Sequence, residues 1–161
     1  MIHTCEGQPP ADVQTLETII YDTFDDINYD HWNSVVQNHN TYLSLPYLKA
    51  LETGLPHCGF KYILFYDSLK QPQGVGYCQI IKITAAEIDT EALIQKLGGM
   101  LPKSILNSID MRILICGNAF ASGENGFYFN EEVPISEGLS VLNDAIEEIH
   151  AREKKADKKI V

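Results

Sequence analysis

Apolar residues recur along the chain at two spacings, and the alternation between them predicts a mixed architecture. Residues 16–24, LETIIYDTF, are rich in β-branched and aromatic side chains and read as a first strand, broken by Asp25, Asp26 and Asn28. Residues 29–38 place Trp32, Val35 and Val36 at i, i+3, i+4, which predicts a short helix. A second helix is expected over 46–53, with Pro46 in its first turn and Gly54 just past its end. FKYILFYD (60–67) and PQGVGYCQIIKI (72–83) read as the arms of a β-hairpin, with SLKQPQG at the turn. A helix over 89–101 would show Leu93, Ile94 and Leu97 on one face, capped by Asp89 or Thr90 and weakened at its end by Gly98 and Gly99. The continuous apolar run MRILICGN (111–118) has the character of a central strand. After a glycine-bearing loop, a helix is expected over about 136–155. Ser136 would be its cap, Leu139, Leu142, Ile146 and Ile149 its stripe, and Arg152, Lys154 and Lys155 lie where the helix dipole favours cations. Ile160 and Val161, following a short turn, read as the start of a further strand.

The order β, α, α, β, β, α, β, α and an incipient β predicts an α/β fold: a mixed sheet with helices on both faces. Residues 1–12 are polar and proline-bearing and are expected to be a flexible N-terminus. Residues 13–161 are expected to form the N-terminal portion of one domain, with the sheet continuing beyond them.

Charge narrows the choice of partner. The chain has 161 residues and a formal net charge of −10, which repels phosphate backbones. No nucleic-acid or anionic-membrane partner is expected, but a single phosphorylated cofactor can still be held by backbone N–H groups. The four cysteines, Cys5, Cys58, Cys78 and Cys116, form no C-x-x-C pair. Cys78 and Cys116 sit in apolar runs and read as small buried hydrophobes, so neither a disulfide framework nor a zinc site is expected. No metal is expected at the five histidines, His3, His31, His39, His57 and His150, none of which pairs at ligand spacing. The N-terminus lacks a basic and an apolar signal region, and no apolar run approaches the ~20 residues of a membrane span. A reducing cytoplasm fits these features best.

The candidate chemistry lies in the loop after the apolar run. Gly117, Gly123 and Gly126 permit close backbone approach where a strand ends, which is where ligands bind in open α/β sheets. The competing reading is a long connection whose glycines serve only its turns. A candidate binding site therefore comprises Cys116, Gly117, Asn118, Ala119, Gly123, Gly126 and Ser136. Its backbone N–H groups would polarise a carbonyl, and the helix start near Ser136 would meet phosphate. Glu124, Glu131 and Glu132 could supply a general base but read equally as solvated loop residues, and among Tyr42, Tyr47, Tyr62, Tyr66, Tyr77 and Tyr128 nothing selects a general acid. No catalytic residue is assigned. QPQGVG (71–76) has the Q-x-x-G-x-G spacing of a pyrophosphate cradle, but it runs toward a strand instead of a helix and Pro72 lacks a donor. It is expected to be a hairpin turn.

Three stretches, YLSLPYLKALE (42–52), FKYILFYD with PQGVGYCQIIKI (60–83) and RILICGNAFASGENGFYF (112–129), together resemble a little-characterised bacterial branch of the GCN5-related (GNAT-like) acyl-CoA N-acyltransferases, distantly related to the Fem aminoacyltransferases. The resemblance covers most of residues 29–161. It implies the acyl-CoA N-acyltransferase fold in longer proteins, acyl-CoA or coenzyme A as co-substrate, and a small-molecule or peptide amine as acceptor. Two alternatives stand beside that reading: a noncatalytic GNAT-like binding or scaffold module, and Fem-like transfer from an aminoacyl-tRNA, against which the charge of −10 counts.

Overall fold

The computed structural model describes residues 16–37, 39–84, 110–119, 121, 126–156 and 160. The flexible segment expected over 1–12, the helix expected over 89–101, and Gly123 and Glu124 lie outside the described residues.

The structure is a mixed α/β fold built on one antiparallel sheet. Strand β1 (Glu17–Tyr21) leads through a 3-10 turn (Phe24–Asp26) into helix α1 (Tyr29–Val36). A second 3-10 turn (Thr41–Leu43) leads into α2 (Leu45–Gly54), followed by β2 (Gly59–Tyr66), β3 (Pro72–Thr84), β4 (Asp110–Cys116), the short β5 (Phe127–Phe129) and helix α3 (Ile135–Ala156). The order β1-β2-β3-β4 is antiparallel throughout, and β5 pairs with the first part of β3. β4 and β5 thus share one side of β3. Ile160 forms a parallel bridge with Arg112 on β4.

Strand alternation divides the core into two layers. Tyr62, Leu64 and Tyr66 of β2 with Val75 and Tyr77 of β3 face α1 and α2, where Trp32, Val35, Val36, Leu43 and Leu48 complete a cluster. Ile63, Phe65 and Cys78 face the other way, onto Leu142, Ala145 and Ile149 of α3. Helices therefore cover both faces of the sheet. The first layer is oriented by Trp32, which is fully buried and donates its indole N–H to the Leu43 carbonyl at 2.8 Å. That bond joins α1 to the turn preceding α2 and so sets where α2 begins. Asn28 caps α1 by accepting from the His31 N–H at 3.1 Å.

Several boundaries differ from expectation, each for a local reason. Gly54 belongs to α2, which ends at Leu55 by a bond from its N–H to the Leu51 carbonyl. Ser136 does not cap α3. Helix α3 begins at Ile135, and the Pro134 carbonyl accepts from the N–H groups of Glu137 and Gly138. Leu139 is 46% exposed, because the buried stripe runs through Gly138, Leu142, Ala145 and Ile149, with Gly138 allowing the Phe129 ring to approach the helix closely. β4 is only half-buried from Asp110 to Ile115, so its apolar run is not that of a fully covered central strand. Its outer side meets, among the described residues, the single bridge at Ile160.

The hairpin turn lies earlier than QPQGVG. It is made by residues 67–71, with Lys70 at φ 61° and Asp67 as its organiser. The Asp67 carboxylate accepts from the N–H groups of Leu69 and Gln71 and from the Gln73 amide. The bond from the Gln71 N–H, with those from Gln73 and Leu69, holds this carboxyl below the usual range. Residues 72–76 are strand, with Gly74 opposite Phe65 and Gly76 opposite Ile63, and no helix follows Gly76. Their glycines serve packing. A Cβ on Gly74 would lie 2.2 Å from the Phe129 ring, and one on Gly138 of α3 would lie 2.8 Å from the same ring. Phe129 fills a slot left by two absent side chains, with its centroid 5.0 Å from that of Phe65.

Gly74→Ala should therefore destabilise the fold by about 1–3 kcal/mol through overpacking, read from the midpoint of urea unfolding. A midpoint equal to that of the wild type would contradict the slot. Because the folded-state value of Asp67 is lowered, its contribution is present above the unfolded carboxyl range and disappears as pH falls through the folded value. Asp67→Ala should remove that part of the acid sensitivity, and unchanged acid titrations of stability would show the turn to be held otherwise.

Candidate functional site

The loop between β4 and β5 is pinched shut at its base. Tyr77 of β3 accepts from the Gly117 N–H at 2.8 Å and donates its own N–H to the Gly126 carbonyl at 2.7 Å. Both ends of the loop thus close on one residue of the neighbouring strand. The approach demands glycine at each end: Gly117 sits at φ 106°, and a Cβ on Gly126 would lie 2.9 Å from the Cys116 carbonyl carbon and the Gly117 nitrogen.

Above this neck a buried polar chain joins the loop to the sheet and to α2. Gln79 of β3 is fully buried, and its amide is used at both ends. Its Nε2 donates to the Tyr77 hydroxyl at 2.6 Å, while its Oε1 accepts from the Ala119 N–H at 2.9 Å. Asn118, 6% exposed, donates from Nδ2 to the Tyr47 hydroxyl of α2 at 2.5 Å. Burial raises the Tyr77 hydroxyl well above the ordinary tyrosine range, although the Gln79 bond opposes this. Tyr77 is thus a neutral hydrogen-bonding group at any physiological pH.

Between α2 and the loop base lies a cleft of about 560 Å³. Tyr42 and Tyr47 stand at one side in edge-to-face contact, with centroids 5.4 Å apart, and Leu51 and Leu55 give an apolar wall. Asn118 and Ala121 close the other side. The Tyr47 hydroxyl accepts from Asn118 and still carries a proton of its own to donate. The arrangement suits a ligand with an apolar part and a carbonyl or similar acceptor.

The structure brings some of the candidate residues together and separates others. Gly117, Asn118, Ala119 and Gly126 meet at the neck, and Asn118 lines the cleft. Cys116 pairs with Cys78, on the α3 face of the sheet, and is exposed where burial was expected. Ser136 is an exposed residue in the first turn of α3, which packs against that same opposite face. The N–H groups of Gly117 and Ala119, expected to polarise a carbonyl, are already engaged by Tyr77 and Gln79. Glu131 and Glu132 line a separate polar hollow beside the stacked rings of His39 and Tyr128. Gln79 and Tyr47 were not singled out from sequence. The one available sign was a lone amide within the apolar run GYCQII. Among the described residues no group of three histidine, cysteine or carboxylate side chains is placed to hold a metal, and no helix is long and apolar enough to cross a membrane.

Compared with protein-family models, with curated proteins and with solved structures, the chain matches none.

Replacing Gln79 by leucine would strand the Ala119 N–H and the Tyr77 hydroxyl in the interior. The cost should be about 1–3 kcal/mol, with faster hydrogen exchange at Ala119 than at Ile63. Unchanged exchange at Ala119 would mean that the loop is held without Gln79.

Proposed function

We propose that this chain takes part in N-acyl transfer, moving an acyl group from a thioester donor, acyl-CoA, to an amine on a small molecule or peptide. One observation carries the reading. The cleft opens at the carboxyl end of β4, and the chain then passes through α3 to Ile160, which pairs in parallel with β4. In α/β sheets the carboxyl ends of parallel strands are where ligands bind. The sheet with helices on both faces supports the reading at the level of a mixed α/β architecture.

In this reading the acyl part of the donor lies along Leu51, Leu55 and Ala121, and the Tyr47 hydroxyl donates to the thioester carbonyl. The amine attacks that carbonyl directly, the thiolate of coenzyme A leaves, and the amine's proton passes to water or a carboxylate. Positioning supplies most of the rate, because the nucleophile belongs to the acceptor. The setting is the cytoplasm, where acyl-CoA is present.

The engaged N–H groups of Gly117 and Ala119 favour a second reading, a noncatalytic module that keeps the cleft for binding. The two readings part on chemistry. With acetyl-CoA or a longer acyl-CoA at millimolar concentration, the melting temperature should rise, since a ligand of the native state stabilises it. Tyr47→Phe should reduce the shift relative to its own ligand-free melting temperature, which should itself fall because the buried Asn118 amide loses its acceptor. A shift without release of coenzyme A in the presence of amines would favour the binding module. No shift with any acyl-CoA would defeat both forms of the acyl-CoA reading.

A further inference from the structure

Cys78 and Cys116 are register partners on β3 and β4. The next pair along, Tyr77 and Gly117, is bridged by the Gly117 N–H to Tyr77 C=O bond. Hydrogen-bonded and non-hydrogen-bonded pairs alternate in an antiparallel ladder, so Cys78 and Cys116 form a non-hydrogen-bonded pair with Cα atoms ~4.5 Å apart. That spacing lies within the ~4.4–6.8 Å window of disulfides, and both side chains project from the same face of the sheet. Their environments differ. Cys78 is fully buried, whereas Cys116 is exposed at the strand end, with its thiol 4.0 Å from the Gly126 carbonyl at the neck of the loop.

We propose that Cys116 is a peroxide-reactive thiol and Cys78 its resolving partner, so that this strand pair is a reversible oxidation site. The Cys116 thiolate attacks a hydroperoxide oxygen, the O–O bond breaks, and the alcohol or water leaves with the proton, giving a sulfenic acid at Cys116. The Cys78 sulfur then attacks the Cys116 sulfur, water leaves, and an S–S bond forms. Two cysteines lose two electrons in all, and one hydroperoxide is reduced. The division of roles follows from access and from the hydrogen bond between the thiols. Donation from Cys78 to Cys116 lowers the Cys116 thiol below its ordinary range and raises that of Cys78. Cys58, half-buried, is raised by burial and serves as an internal comparison. The new bond would form one residue from Gly117, a covalent strut at the neck.

The test is exposure of the native protein to hydrogen peroxide, with intact mass and peptide mapping as readouts. Neither depends on acyl transfer. The wild type should lose the mass of two hydrogens, give a linked Cys78–Cys116 peptide, and return to its original mass with dithiothreitol. Cys116 should react faster than Cys58, because its thiol is lowered by the Cys78 hydrogen bond and exposed, while that of Cys58 is raised by burial. Cys116→Ser, at an exposed position, should fold normally and lose the linked peptide. Cys78→Ala should halt at a sulfenic acid that dimedone traps; because Cys78 is buried, the wild-type map alone decides if that variant does not fold. Oxidation of Cys58 before Cys116, accumulation of sulfinic acid at Cys116 without the link, or absence of the linked peptide would overturn the proposal.

Discussion

The two hydrogen bonds of the Tyr77 backbone are the constraint on which the candidate site depends. One strand residue normally pairs with one neighbour, but Tyr77 divides its N–H and C=O between Gly126 and Gly117. The chain can therefore leave the ladder after β4, form the loop, and rejoin the same side of β3 as β5 without stranding a buried backbone group. Glycine at both positions is a steric condition of this arrangement. With the neck fixed, Asn118 and Ala119 are held where Tyr47 and Gln79 can reach them, and the cleft acquires its second wall.

The alternation of β2 and β3 has a second consequence. Tyr62, Leu64, Val75 and Tyr77 commit one face to α1 and α2, and Ile63, Phe65 and Cys78 commit the other to α3. Asn118 consequently belongs to the α2 side, while Cys116 and Ser136 belong to the α3 side. Residues close in sequence are divided by the sheet, and their chemistry divides with them: the cleft lies on one face and the thiol pair on the other. On the α3 face, Glu153 bridges Lys61 of β2 at 2.8 Å and Arg112 of β4 at 3.0 Å, tying the end of the helix across the strands. These side chains are largely shielded from water, so the pairs are of more consequence than exposed ones.

Much of the framework was legible in the sequence because it rests on local periodicity. Trp32, Val35 and Val36 face the core as their spacing predicts, Pro46 opens α2, and both hairpin arms and β4 appear near their expected positions. The features that escaped are those that depend on register. β5 is three residues long and hidden in a glycine-bearing loop, and it is a strand only because Gly74 and Gly76 lie opposite. The glycines of QPQGVG imitate a phosphate motif, yet their absent side chains accommodate Phe129 and Leu142. Of the candidate site, the loop neck was visible as glycines after an apolar run. Its partners Tyr47, Tyr77 and Gln79 lie about 40 to 70 residues earlier in the chain, and no spacing rule joins positions so far apart.

The pinned loop and α2 together form a cleft, which the proposed function fills with an acyl thioester. The most direct test of that occupancy is titration of the isotopically labelled protein with acetyl-CoA, followed by amide chemical shifts. Changes should concentrate at Tyr42, Tyr47, Leu51 and Leu55 and at Asn118, Ala119 and Ala121, with the α3 positions Ser136 to Leu142 little affected. Changes confined to the start of α3, or no changes anywhere along α2 and the loop base, would contradict that occupancy.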